Sequence, residues 1–129
     1  MRVYIPISAG DLIDRITILQ IKIERIPEAA VVERISDELD HLAAIRNCFA
    51  RLVSDEVREK ERELRAANES LWEVENILRA LEARQDFGAE FITAARRVYL
   101  GNDERAALKR EINELAGSAL REEKWFSPD

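Results

Sequence analysis

The sequence predicts an all-α fold: an antiparallel helical bundle with a long helical hairpin, about five helices, and a short extended N-terminal arm. Three observations carry this. Apolar residues recur in steps of three and four along most of the chain, the spacing of one helical face. Only four Gly and three Pro occur among 129 residues, too few breakers for many short elements. Charged residues make up 36% against 47% apolar, the balance of a folded chain whose helices keep one wet face. Residues 1–129 read as one helical domain, with 1–7 an arm and 118–129 a tail, large enough for a core without metal or disulfide support.

Val3 to Ile7 is β-prone but interrupted by Pro6, which limits it to an edge strand or an extended arm. Ser8 with Asp11 three residues on forms a capping box, flanked by Ile7 and Leu12 at staple positions. Leu12, Ile16, Leu19, Ile23 and Ile26 then step by 4, 3, 4 and 3 up to Pro27, while Ile13, Ile18 and Ile21 widen the apolar surface. This first helix is the expected centre of the domain. Its polar remainder is a narrow stripe of Asp11, Arg15, Lys22 and Arg25. A strand-like alternation runs from Leu19 to Glu24, but it breaks phase at Ile18-Leu19, whereas the helical seam does not.

A second helix is expected from about Glu28 to Leu52, with Val32, Ile35, Leu39, Leu42, Ile45, Phe49 and Leu52 inward. Ser54-Asp55 caps a third, from about Asp55 to Arg84, roughly 42 Å long at 1.5 Å per residue. Its early part, Glu56 to Arg65, is nearly all charge and reads as a solvated or protruding end. Asp86 caps a fourth helix. Gly101 sits where a left-handed C-terminal residue belongs, and Asn102 or Asp103 caps a fifth helix closed by Gly117. In the tail, Trp125 and Phe126 are placed either to pack back onto the body or to pair with the arm.

The composition excludes several functions. A formal charge of −6 supplies no field for nucleic acid or an anionic membrane. No stretch approaches a membrane span or a signal peptide, and the lone Cys48 cannot form an intramolecular disulfide, so a cytoplasmic protein is expected. Glu38-x-x-His41 has the spacing of a di-iron half-site, but such sites need two motifs and the chain holds one His. Cys48 lies two turns from His41, about 10 Å along the axis, beyond a thiol–base hydrogen bond. Isolated glycines give no phosphate-cradling loop. No cofactor and no metal are expected.

Two constellations remain. Arg96 to Arg105, followed by Lys109, carries enough basic side chains to line an anion pocket with Arg15 and Lys22 of the first helix, since guanidinium forks suit carboxylate or phosphate. The simpler reading has Asn102 and Asp103 capping while Arg105 and Lys109 pair with Glu or Asp neighbours at helical spacing. Asn68 and Trp72, one turn apart beside Leu71, interrupt an otherwise aliphatic seam, as polar residues do where register or partner choice is set.

Pro6 to Lys22, Leu71-Trp72-Glu73-Val74-Glu75, and Phe91 to Tyr99 followed by Asn102-Asp103-Glu104-Arg105 and Lys109 to Asn113 resemble an uncharacterised bacterial family of small helical proteins over nearly the whole chain. That resemblance implies a fold and no activity. Asp14-Arg15-x-x-Ile18-Leu19 and Phe91-Ile92 are more distantly similar to the all-helical chorismate mutases. The position seventeen beyond Arg15 is however Val32, where that family carries arginine.

Two functional expectations follow. The first is a helical scaffold or protein-interaction module without a catalytic set, a homodimer with a possible protein partner, Asn68, Leu71 and Trp72 lying at its interface. The alternative is a small enzyme or binder for an anionic metabolite, held by Arg15, Lys22, Arg96, Arg105 and Lys109.

Overall fold

A computed structural model describes residues 1–120, 123–125 and 127. The helices are α1 (Ala9–Arg25), α2 (Ala29–Asn47), α3 (Asp55–Ala83) and α4 (Ala89–Ala116), with a 3-10 turn at Ala50–Leu52. No strand occurs among the described residues. Residues 1–8 carry no secondary structure, so the arm is not an edge strand.

Local chemistry sets each boundary. Ser8 is extended, and its Oγ accepts the Asp11 amide proton at 3.0 Å, satisfying one orphan donor of the first turn. At the other end Ile26 is held extended (ψ 126°), as a residue before proline must be, and α1 stops at Arg25. Ser54 repeats the device for α3, accepting from Val57 N at 3.2 Å. Gly117 ends α4 in the left-handed region, φ 67°.

α3 and α4, 29 and 28 residues long, form the antiparallel hairpin of about 42 Å. Leu71 meets Gly101, and Lys60 reaches Glu111 at 3.0 Å across the pair. α1 lies in the open end of this hairpin and contacts all three other helices. Eight of its 17 residues are buried, with Ile13 and Ile16 fully enclosed. Ile13 packs with Val57, Leu64, Ala67, Leu108 and Ile112, which ties α1 to both arms of the hairpin. On its other side Leu12 and Ile16 meet Leu52, Leu39 and Leu42. α2 thus covers one flank of α1, and none of its residues is fully buried. The run Glu56–Arg65 is solvated only outwardly, because Val57 and Leu64 within it are enclosed.

Three sequence expectations fail on the fold. Asp86 does not cap the last helix: α4 begins at Ala89 with Gly88 as its N-cap, and Asp86 Oδ1 accepts the Gly88 amide proton at 3.1 Å. Four α-helices replace about five, because the chain runs through Gly101 without turning. A Cβ there would stand 2.7 Å from Leu71 Cδ2, so this glycine serves the close approach of α3 to α4 and not a turn. Asn102 and Asp103 consequently cap nothing. The second helix also stops at Asn47, short of Leu52. The 3-10 turn then rotates Leu52 into the core and leaves Phe49 55% exposed, a division that an unbroken helix would not give to residues three apart. Trp125 is exposed, and Phe126 lies outside the described residues.

Candidate functional site

The face of α1 that meets α4 carries a second seam, Gly10, Asp14, Thr17 and Ile21, again in steps of 4, 3 and 4. Facing it, Arg105, Lys109 and Asn113 recur every turn along α4. The two rows interlock as a polar ladder. Asn113 Oδ1 accepts the Gly10 amide proton at 2.6 Å, an approach that glycine alone allows, since a Cβ would stand 2.5 Å from the Lys109 carbonyl oxygen. Lys109 Nζ lies 2.8 Å from Asp11. Arg105 then grips Asp14 with both ends of its fork, Nε to Oδ1 at 2.9 Å and Nη2 to Oδ2 at 2.5 Å.

α3 closes this arrangement. Asn68 Nδ2 donates to Asp14 Oδ1 and to Thr17 Oγ1, both at 2.9 Å, and the Thr17 hydroxyl donates to the Asp14 carbonyl at 2.7 Å. Asp14, Asn68 and Thr17 are 5%, 6% and 0% exposed. A carboxylate this dry is tolerable only with its charge and lone pairs met, and here a guanidinium and an amide meet them. Among the described residues no buried side-chain polar atom lacks a hydrogen bond. The ladder therefore fixes the register of α1 against the hairpin.

At the start of the ladder, burial pushes the Asp11 carboxyl up. The hydrogen bond and charge of Lys109, with bonds to Ser8, outweigh it and hold the group below its ordinary 3.8. A carboxylate depressed in the folded state adds stability above its unfolded pKa and loses it as pH falls through the folded value. Urea-unfolding curves between pH 7 and pH 3 are thus expected to show a loss of stability that Asp11→Asn removes. The carboxylate is 43% exposed, which keeps the difference below about 1 kcal/mol. An unchanged pH profile in that variant would contradict the assignment.

Beyond the ladder α1, α3 and α4 enclose a cleft of about 390 Å³. Ile18 and Ile21 of α1 form one wall, with Asn102 and Arg105 of α4 opposite. The α3 side presents Trp72, Glu75, Asn76 and Arg79. A second, wider groove of about 1240 Å³ runs between the arm, α2 and the 3-10 turn, bordered by Tyr4, Ile5, Leu42, Ile45 and Phe49. His41 and Cys48 also border it, both exposed. No group of three or more His, Cys, Asp and Glu side chains lies close enough to hold a metal ion among the described residues.

The five basic residues expected to share an anion pocket do not converge. Arg15 turns to α2 and pairs with Glu38 at 2.8 Å, with 63% of its side chain exposed. Arg105 and Lys109 are neighbours, each on a carboxylate of α1. Lys22 is half-buried on α1, and Arg96 is exposed on α4. Of the three residues expected at an interface, Asn68 is engaged inside the chain, Leu71 packs on Gly101, and Trp72 lines the cleft. The sequence reading had no role for Asp14, Thr17, Asn113 or Arg79. For Asp14 and Thr17 the signal was present, since both stand in a 4, 3, 4 seam on the most apolar helix.

Fold and site together define a small all-α protein in which a helical hairpin clasps an N-terminal helix through a buried ionic ladder. The chain belongs to a family of unknown function, DUF6165, whose model matches residues 1–128. No curated protein and no solved structure matches it. No helix among the described residues is long and apolar enough to cross a membrane.

Proposed function

We propose that this protein is a self-associating interaction module and that its second copy docks in the groove between the N-terminal arm and α2. The carrying observation is where apolar surface is left open. Val3, Tyr4 and Ile5 are 73%, 79% and 69% exposed, and the groove they border also holds Ile45 and Phe49, 39% and 55% exposed. Exposed apolar side chains gathered in one groove, with Arg15, Arg34, Asp37 and Glu38 also lining it, mark a protein–protein contact. Identical copies suit it, because arm and groove are adjacent on one face. A two-fold axis through that face lets each arm cover the other copy's groove, an isologous exchange that needs no new surface. Asn68 and Leu71, being engaged within one chain, take no part in this interface. The polar ladder serves to hold α1, and through it α2 and the arm, in place.

Light scattering after size-exclusion chromatography tests the reading directly. The protein is expected to run at twice the chain mass at micromolar concentration. Tyr4→Asp with Ile5→Asp, both at exposed positions, is expected to give a folded monomer with an unchanged circular dichroism spectrum. A monomer in the parent protein, or a dimer insensitive to both substitutions, would overturn it.

A further inference from the structure

The cleft beyond the ladder holds charges that the ladder does not use. Trp72, Glu75, Asn76 and Arg79 follow one another along a single face of α3. Glu75 and Arg79 stand one turn apart, the spacing at which opposite charges on a helix usually pair, yet no ion pair joins them. On the facing wall Arg105 is matched by Asp14. The lining therefore offers one carboxylate and one guanidinium, separated by about 6 Å of helical rise, beside an indole and the side chains of Ile18 and Ile21. Amides from Asn76 and Asn102 lie on either side. At about 390 Å³ the volume falls within the range of small-molecule sites.

We infer that the cleft binds a small zwitterion with an apolar body, of the α-amino acid class. Arg79 takes the carboxylate and Glu75 the ammonium group, while the side chain lies against Trp72, Ile18 and Ile21. An anion alone would leave Glu75 opposing it, and a cation alone would meet Arg79. Only a ligand carrying both charges at short separation satisfies both side chains. The inference is independent of self-association, since none of these residues belongs to the arm groove.

The test uses fluorescence quenching of Trp72 in full-length protein carrying Trp125→Phe, with L-phenylalanine and L-leucine as zwitterions and phenylacetate and phenethylamine as half-charged probes. Saturable binding of a zwitterion is expected at millimolar concentration, with both half-charged probes weaker by about tenfold. Arg79→Gln and Glu75→Gln, at exposed positions that leave the fold intact, are each expected to weaken zwitterion binding by about tenfold. The monomeric Tyr4→Asp, Ile5→Asp protein is expected to bind as the parent does. No saturable quenching by either zwitterion, equal binding of phenylacetate, or indifference to both charge-removing variants would overturn the inference.

Discussion

Arg105→Met is expected to lower the free energy of unfolding by about 2–4 kcal/mol. The loss comes less from the missing attraction than from what stays behind. Asp14, 5% exposed, would be left with Asn68 as a side-chain donor and little water to replace the guanidinium. The reverse substitution should be milder. Asp14→Asn removes the buried carboxylate itself, leaves an amide oxygen for Asn68, and costs about 1 kcal/mol, because the Arg105 side chain is already 31% exposed. The double variant should be more stable than Arg105→Met alone, a coupling of about 1 kcal/mol or more between the two sites. Urea denaturation of the three variants at pH 7 measures this. Equal effects of the two single substitutions would mean that Asp14 is better hydrated than its burial implies.

Gly10→Ala should cost a comparable amount, about 2–4 kcal/mol, although it adds one carbon to a helix where alanine is intrinsically favoured by about 1 kcal/mol. The new Cβ would meet the Lys109 carbonyl oxygen at 2.5 Å and Asn113 Oδ1 at 3.0 Å. The first is backbone and cannot rotate aside, so α1 and α4 must separate, which strains the Gly10–Asn113 hydrogen bond and the two ion pairs above it. Gly101→Ala is the control. There the obstacle at 2.7 Å is Leu71 Cδ2, the end of a flexible side chain, and a rotamer change relieves it. The gain in helix propensity then offsets most of the cost, and its melting temperature should stay near that of the parent. Similar losses at both glycines would refute this distinction between backbone and side-chain crowding.

How far the fold was legible follows from which forces are local. Ser8, Pro27 and Ser54 mark helix ends through bonds or steric restrictions within a few residues, and all three act as their sequence context indicates. Of the seam Leu12, Ile16, Leu19, Ile23 and Ile26, the first three are buried as its period requires, and the last two, toward the end of α1, are half-buried. Gly101 misled because a glycine for close packing and a glycine for a turn look alike until Leu71 is in view. The site was less legible still. Arg105 and Lys109 stood out by charge, but their partners Asp14 and Asp11 lie about 90 to 100 residues away, and no local pattern links them. Nothing in the sequence sets Glu75 and Arg79 apart from the other charged residues of α3; only the neighbouring walls of α1 and α4 make them a lining.

The bond from Gly10 to Asn113 spans 103 residues, nearly the whole length of the chain. During synthesis α1, the most apolar of the four helices, emerges before its α4 partners. At ordinary translation speeds that interval is about 5–20 s, during which α2 and then α3 can cover α1 while its α4 face stays open. The most apolar helix is thus left incompletely covered until α4 is made, and apolar surface exposed over that interval favours aggregation.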